Sequence, residues 1–233
     1  MQLGKITGIP IHLHWSFLAL MGFFGVQALG QGGVAQLASI GFGEVALFGS
    51  VLLHELGHAW AARRFGIGTR DISLYPFGGV ASLERMPREP RQELIVAFAG
   101  PLVNLALFAL FAAAWAATGM WVFAGMAAIN AMMGVFNLIP AFPMDGGRVL
   151  RAGLAMRMGW EPASRIAIQV GTFFAWTFVF GGMLTGWWSL ALVGGFLLFA
   201  LPIERSQLHS LSPEDDPRPT RHVVTQFRVA PRH

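Results

Sequence analysis

Cysteine is absent from this chain of 233 residues, which excludes disulfides, thiolate metal sites and cysteine nucleophiles together. Charge is scarce as well: 12% of residues are charged against 55% hydrophobic, with a mean hydropathy of +0.56. A soluble globular domain carries about 25% charged residues, so this composition predicts an integral membrane protein in a lipid bilayer. Net charge is only +4 despite a pI near 10.9. The basic residues fall between apolar stretches and form no single patch, so no nucleic-acid partner is expected. No basic segment with a small-residue cleavage site opens the chain, and the first apolar run is read as a retained anchor. No repeat of fixed period runs through the sequence.

Long apolar runs are what the chain has in quantity, near residues 15–33, 42–62, 94–117, 121–139, 166–185 and 187–203. Each is long enough to cross about 30 Å of hydrocarbon, which predicts six spans. Lysine and arginine test that count. All 16 of them fall at Lys5, from Arg63 to Arg91, from Arg148 to Arg165, or from Arg205 onward. In a six-span arrangement these positions lie on one side, so both termini are expected in the cytoplasm. Residues 67–91 are too polar to cross. Within them Asp71 to Glu84, DISLYPFGGVASLE, holds β-branched and aromatic residues with a glycine pair. That pattern predicts a short hairpin or looped strand, with an ordinary loop as the alternative. The expected fold class is therefore an all-α polytopic membrane protein: six transmembrane helices with a short membrane-associated β-strand or hairpin between helices 2 and 3. Residues 1–205 form that domain. The charged, proline-bearing tail 206–233 is expected as linker or disorder.

The second apolar run carries an interruption, VLLHELGHAW. Residues four apart on a helix lie about 40° apart around the axis, so the imidazoles of His54 and His58 can reach one metal ion. Glu55 falls on an adjoining part of the same surface. HExxH is a zinc-protease spacing, with two ligands and a base on one helix. A catalytic zinc takes a third protein ligand and keeps one position open. Ionisable residues inside a span are costly and mark function by default. In the six-span topology Arg63 follows His58 by five residues, so the metal should lie on the order of 8 to 14 Å inside the cytoplasmic edge.

For the third ligand the most suggestive stretch is NLIPAFPMDGGR, residues 137–148. Pro140 and Pro143 break the fourth run, and Asp145 lands near the depth of His58. Irregular backbone at membrane depth is tolerated only beside protein or a watery cavity, which fits a ligand. Capping of the following helix is the alternative role for Asp145. Asn104 and Asn130 interrupt apolar runs and are read as interhelical hydrogen-bonding residues. Asn137, beside the candidate ligand, can serve the same end or contact substrate backbone. His12 and His14 precede Trp15 at a membrane interface and are not read as ligands.

With HELGH in the second run and NLIPAFPMDGGR ending the fourth, the chain resembles the site-2 protease family of intramembrane zinc metalloproteases. The resemblance extends through GIPIHLHWSF, PFGGVASLE and AFAGPLVN and covers most of residues 4–205. It implies a zinc cofactor held by His54, His58 and Asp145, with Glu55 as catalytic base and Asn137 and Pro140 shaping the site. It also implies that the strand near Phe77, Gly78, Gly79 and Val80 dips into the membrane toward substrate, and that the first and last spans gate access. Similar six-span members carry nucleotide-sensing CBS domains. None is expected here, nor is regulation by adenine nucleotides.

The leading expectation is thus a zinc metalloendopeptidase that cuts transmembrane segments of membrane-protein substrates, as an integral multi-pass protein of a prokaryotic cell membrane. One alternative keeps the zinc chemistry but acts on soluble cytoplasmic chains from a membrane anchor. Another is a metal or ion transporter, since intramembrane histidine and aspartate also mark ion paths. The substrate's identity and the oligomeric state have no signature in the sequence.

Overall fold

The computed structural model describes residues 1–75, 78–87 and 89–209. Phe77, and the tail from residue 210 onward, lie outside the described residues. The chain opens with a hairpin, β1 (Gln2–Ile6) and β2 (Ile9–Leu13), followed by the 50-residue helix α1 (Trp15–Arg64). A second hairpin follows, β3 (Thr69–Tyr75) and β4 (Gly78–Leu83). Five helices complete the order: α2 (Pro90–Thr118), α3 (Trp121–Asn137), α4 (Asp145–Met158), α5 (Trp160–Thr185) and α6 (Trp188–His209).

The first two apolar runs form two helical arms of α1 that meet at Gly33 (φ 64°, ψ −150°), a conformation that glycine adopts without steric cost. Residues 34–41, between the two runs, are helical. Their sequence, VAQLASIG, has no proline and is mostly helix-compatible. The chain doubles back at Gly33: Phe17 and Phe48 meet edge to face with centroids 3.9 Å apart, although a straight helix would hold them about 46 Å apart. α1 ends where Gly66 takes φ 67°. Ile67 N–H donates to Ala62 O and Gly66 N–H to Arg63 O, both at 3.1 Å, which is the Schellman pattern of a helix stop.

The expected strand segment between the second and third helices is present, but the sheet is larger than expected. Its order is β1-β2-β3-β4, with β2 parallel to β3 and both hairpins antiparallel. The N-terminal hairpin was not expected, although its signal lies in GIPIHL, where Ile9, Ile11 and Leu13 alternate with half-exposed Pro10 and His12. Those three residues pack with Ile72 and Leu74 of β3 against Val51, Leu56 and Ala59 of α1. The sheet therefore lies on the part of α1 that carries the HELGH residues.

Three helices are long and apolar enough to cross a membrane: Gly32–Arg64, Pro90–Thr118 and Trp160–Thr185. Shorter apolar helices, Trp15–Gly30, Trp121–Asn137 and Trp188–Pro202, take up the other three runs. α6 continues to His209, past the boundary expected at 205. α2 packs against α1 on one side and α4 on another, and α4 leads on to α5 and α6. The approach of α1 to α2 depends on Gly57. A Cβ there would sit 2.8 Å from Val103 Cγ2 and 2.9 Å from the Ala99 carbonyl oxygen. Gly57→Leu is expected to destabilise the fold by about 1 to 3 kcal/mol, the usual cost of overpacking, read as a lower thermal midpoint of the detergent-solubilised protein.

Candidate metal centre

His54 and His58 stand one turn apart on α1 with their rings crossed at 82°. Both are buried, at 5% and 6% exposure. Their Nε2 atoms lie 3.1 Å apart. Asp145 Oδ2 lies 3.1 Å from His54 Nε2 and 3.2 Å from His58 Nε2. Three ligand atoms at tetrahedral positions about 2.0 to 2.1 Å from one zinc would be about 3.3 Å apart. The observed triangle is within a few tenths of an ångström of that spacing. Two ring nitrogens and a carboxylate oxygen that converge this closely in an apolar body could hold one metal ion, and the residues present fit zinc.

The opposite ring nitrogens explain the orientation. His58 Nδ1 donates to the Val96 carbonyl at 2.7 Å, and His54 Nδ1 donates to Asn104 Oδ1. Each bond fixes the tautomer that leaves the Nε2 lone pair facing the centre. Both partners belong to α2, and Gly100 lies between them: a Cβ at Gly100 would collide with the His58 and His54 rings. The Asn104 amide is held in turn. Its Nδ2 donates to Asn130 Oδ1 at 3.0 Å, and Asn130 Nδ2 donates to Ser50 Oγ at 3.1 Å. Ser50 Oγ donates to Ala46 O at 3.1 Å and so returns the chain of bonds to α1. The expected interhelical role of Asn104 and Asn130 is thus present. Sequence reasoning missed that Asn104 also orients His54. Its burial in an apolar run was the available signal.

Asp145 is the first residue of α4 and makes no side-chain capping bond; Met144 occupies the cap position. Its carboxylate points instead at the two imidazoles. The following glycines let α4 start there, because a Cβ at Gly146 would strike the Leu138 and Ile139 carbonyls, and one at Gly147 would lie 2.8 Å from Phe142 N.

Glu55 is only half-buried and reaches the sheet. Ala81 N–H donates to its Oε2 at 3.1 Å, and a Cβ at Gly79 would lie 2.5 Å from its Cγ. Gly78 and Gly79 are half-buried, whereas Val80 is 53% exposed. Asn137 Nδ2 bonds the Met133 carbonyl of its own helix at 3.0 Å. Pro140 lies half-buried in the irregular segment between α3 and α4. Of the two histidines not read as ligands, His14 caps α1, its Nδ1 accepting from Ser16 N–H at 3.3 Å, and His12 lies on β2.

If Asn104 orients His54, Asn104→Ala should weaken metal binding by about 10- to 100-fold, the usual cost of losing an outer-shell partner. Competition against a chelating dye measures this. An unchanged affinity would show that the bond is ornamental.

Comparison with known proteins agrees with this geometry. Matches to Peptidase family M50 cover residues 42–120 and 111–178. Zinc metalloprotease MJ0392 of Methanocaldococcus jannaschii is 37% identical over 204 residues, covering 85% of this chain and 58% of the relative. Putative zinc metalloprotease Rip3 of Mycobacterium tuberculosis is 34% identical over 234 residues, covering 88% and 58%. Among solved structures, the site-2 protease from Methanocaldococcus jannaschii superposes with a TM-score of 0.65 at 33% identity, covering 88% of this chain and 94% of that one. The chain spans 58% of the length of both curated relatives. The matches run through both the HELGH segment and Asp145, and the chain belongs to peptidase family M50, the site-2 proteases.

Proposed function

We propose that this zinc metalloprotease is an intramembrane endopeptidase that cuts transmembrane segments of other proteins. The observation that carries the reading is the position of the His54, His58 and Asp145 triangle. It is buried, and two of its corners lie on Gly32–Arg64, a helix of membrane length and hydropathy. In this reading all six apolar helices span the membrane within a domain of residues 1–205. Both termini lie in the cytoplasm, and the host is a prokaryotic cell membrane. The one-sided distribution of lysine and arginine supports that orientation.

His54, His58 and Asp145 hold the metal, which when bound supplies a Lewis acid to the scissile carbonyl and makes water acidic enough to attack. Glu55 takes the proton from the attacking water as its oxygen bonds to the carbonyl carbon. It then gives that proton to the amide nitrogen as the C–N bond breaks. It is less completely buried than the two histidines, which suits this work, and the Ala81 amide orients it without neutralising it.

A peptide bond inside a substrate helix must first lose its helical hydrogen bonds, and in hydrocarbon each unsatisfied group costs several kcal/mol. β4 ends the sheet beside Glu55, so its edge can offer replacement bonds by strand addition. Gly78, Gly79 and Val80 would receive the unwound segment, Phe77 adjoining them in sequence. Asn137 and Pro140 would shape the opposite wall, and Asn137 keeps its side-chain oxygen for substrate.

Glu55→Gln should retain zinc and lose about 10² to 10⁴ in rate, whereas Asp145→Ala should lose the metal. Zinc stoichiometry of the purified variants beside a cleavage assay checks both. An Asp145→Ala protein that bound zinc like the parent and still cut would overturn the ligand assignment.

Strand addition has a separate test. Val80→Pro removes an N–H on the β3 side of β4, which loosens the edge strand, and spares the Ala81 amide that holds Glu55. It should slow cleavage of a transmembrane substrate while leaving cleavage of a short extended peptide and zinc content unchanged. Equal slowing on both would point instead to a soluble-chain protease.

A further inference from the structure

Outside the metal centre, the described residues bury one more group of charges. Glu93 of α2 is 2% exposed and Arg151 of α4 is 5% exposed. Arg151 Nη2 donates to Glu93 Oε1, and Arg148 Nε approaches the same oxygen at 3.7 Å. Glu93 Oε2 and Arg151 Nε are buried with no partner. A buried ion pair with atoms left over is a poor source of net stability, since desolvation offsets the attraction. Its worth has to be sought in geometry.

Glu93 lies on the buried face of α2 with Val96, Gly100 and Asn104. Those three residues touch or orient the two imidazoles. Arg151 lies on α4, the helix whose first residue is Asp145. α4 is short and the least apolar of the helices. The Arg151 guanidinium also sits 5.3 Å from the ring of Phe142, in the segment that leads into α4, and 5.9 Å from that of Trp160 at the start of α5. One side chain thus meets α2 and both flanks of α4. The two parts of the centre come from different bodies: the histidines are fixed against α2, and Asp145 arrives on α4. A tie between α2 and α4 bears directly on the distance between them.

We propose that Glu93, Arg151 and Arg148 are positioning residues, a charge clamp that holds α4 against α2 so that Asp145 meets His54 and His58. The proposal rests on Asp145 as a zinc ligand. The clamp acts through placement, so its loss loosens zinc without removing a ligand.

A chain without cysteine lets two spin labels be placed cleanly, at Ile95→Cys on α2 and Met156→Cys on α4, both exposed. In the metal-free parent, pulsed electron spin resonance should give one narrow distance. Glu93→Gln or Arg151→Gln should broaden it and speed zinc release to a chelator by about 10- to 100-fold. Because such single changes leave a buried charge unpaired, Glu93→Leu combined with Arg151→Met is the control for folding. It should keep the parent's thermal midpoint and still release zinc faster. Arg165→Gln, which breaks only the exposed pair with Glu161, should change neither reading. A narrow distance and parental release in Glu93→Gln would overturn the clamp. So would a double variant that holds zinc like the parent. Should Asp145→Ala keep its zinc, the ligand reading falls, while the spin-label distance still decides the clamp.

Discussion

Two imidazoles inside an apolar helix bring four ring nitrogens into a medium that leaves no polar atom unpaired without cost. The rest of this molecule is arranged around that requirement. Two nitrogens find acceptors on α2, the Val96 carbonyl and the Asn104 side chain. The other two converge with Asp145 Oδ2 at a spacing that one zinc ion spans. A second helix has to come close enough to supply a backbone carbonyl as a partner, and a third segment has to deliver a carboxylate to the far side. Gly57 and Gly100 meet the first condition, and Gly146 and Gly147 meet the second, each where a Cβ would strike backbone or a ligand ring.

The polar chain behind His54 shows how the requirement propagates. An asparagine that accepts from an imidazole still has an amide to satisfy, so Asn104 calls for Asn130, and Asn130 for Ser50. The series stops only at a helix carbonyl, Ala46 O. Three helices are tied together by bonds whose direction is fixed at one end by the tautomer that ligation demands. Asn104 and Asn130 are fully buried. In such a medium these bonds specify register as well as contributing energy.

Much of this was legible in the residues, because the metal motif is local and membrane spans declare themselves by length. HELGH puts its ligands one turn apart on any helix, and NLIPAFPMDGGR announces a break followed by a carboxylate. What was not legible is what depends on pairing between distant segments. Nothing in AFAGPLVN says that its asparagine faces His54, since a buried amide in an apolar run has many possible partners. Arg148 and Arg151 read as membrane-topology signals because their Glu93 partner is 55 to 58 residues away in sequence. The turn between the first two runs has no polar loop to announce it, because two helices there meet at a single glycine, Gly33.

Glu55 is treated differently from its neighbours on the same helix, and the difference follows from what each must do. A ligand can be sealed off, because the ion is its partner. In the proposed mechanism Glu55 is the base and must meet water and substrate, so burial as complete as that of His54 would defeat it. Glu55 is therefore less completely buried than the two histidines, and its carboxylate is steadied by one backbone donor, Ala81 N–H of β4. That donor is only as well placed as the strand carrying it. β4 pairs with β3, β3 with β2, and β2 with β1, while Ile9, Ile11 and Leu13 anchor the sheet on α1 close to the motif. The N-terminal hairpin, which carries none of the metal chemistry, thus bears on the base through three successive strand pairings, and the placement of Glu55 depends on residues as remote in sequence as Ile9.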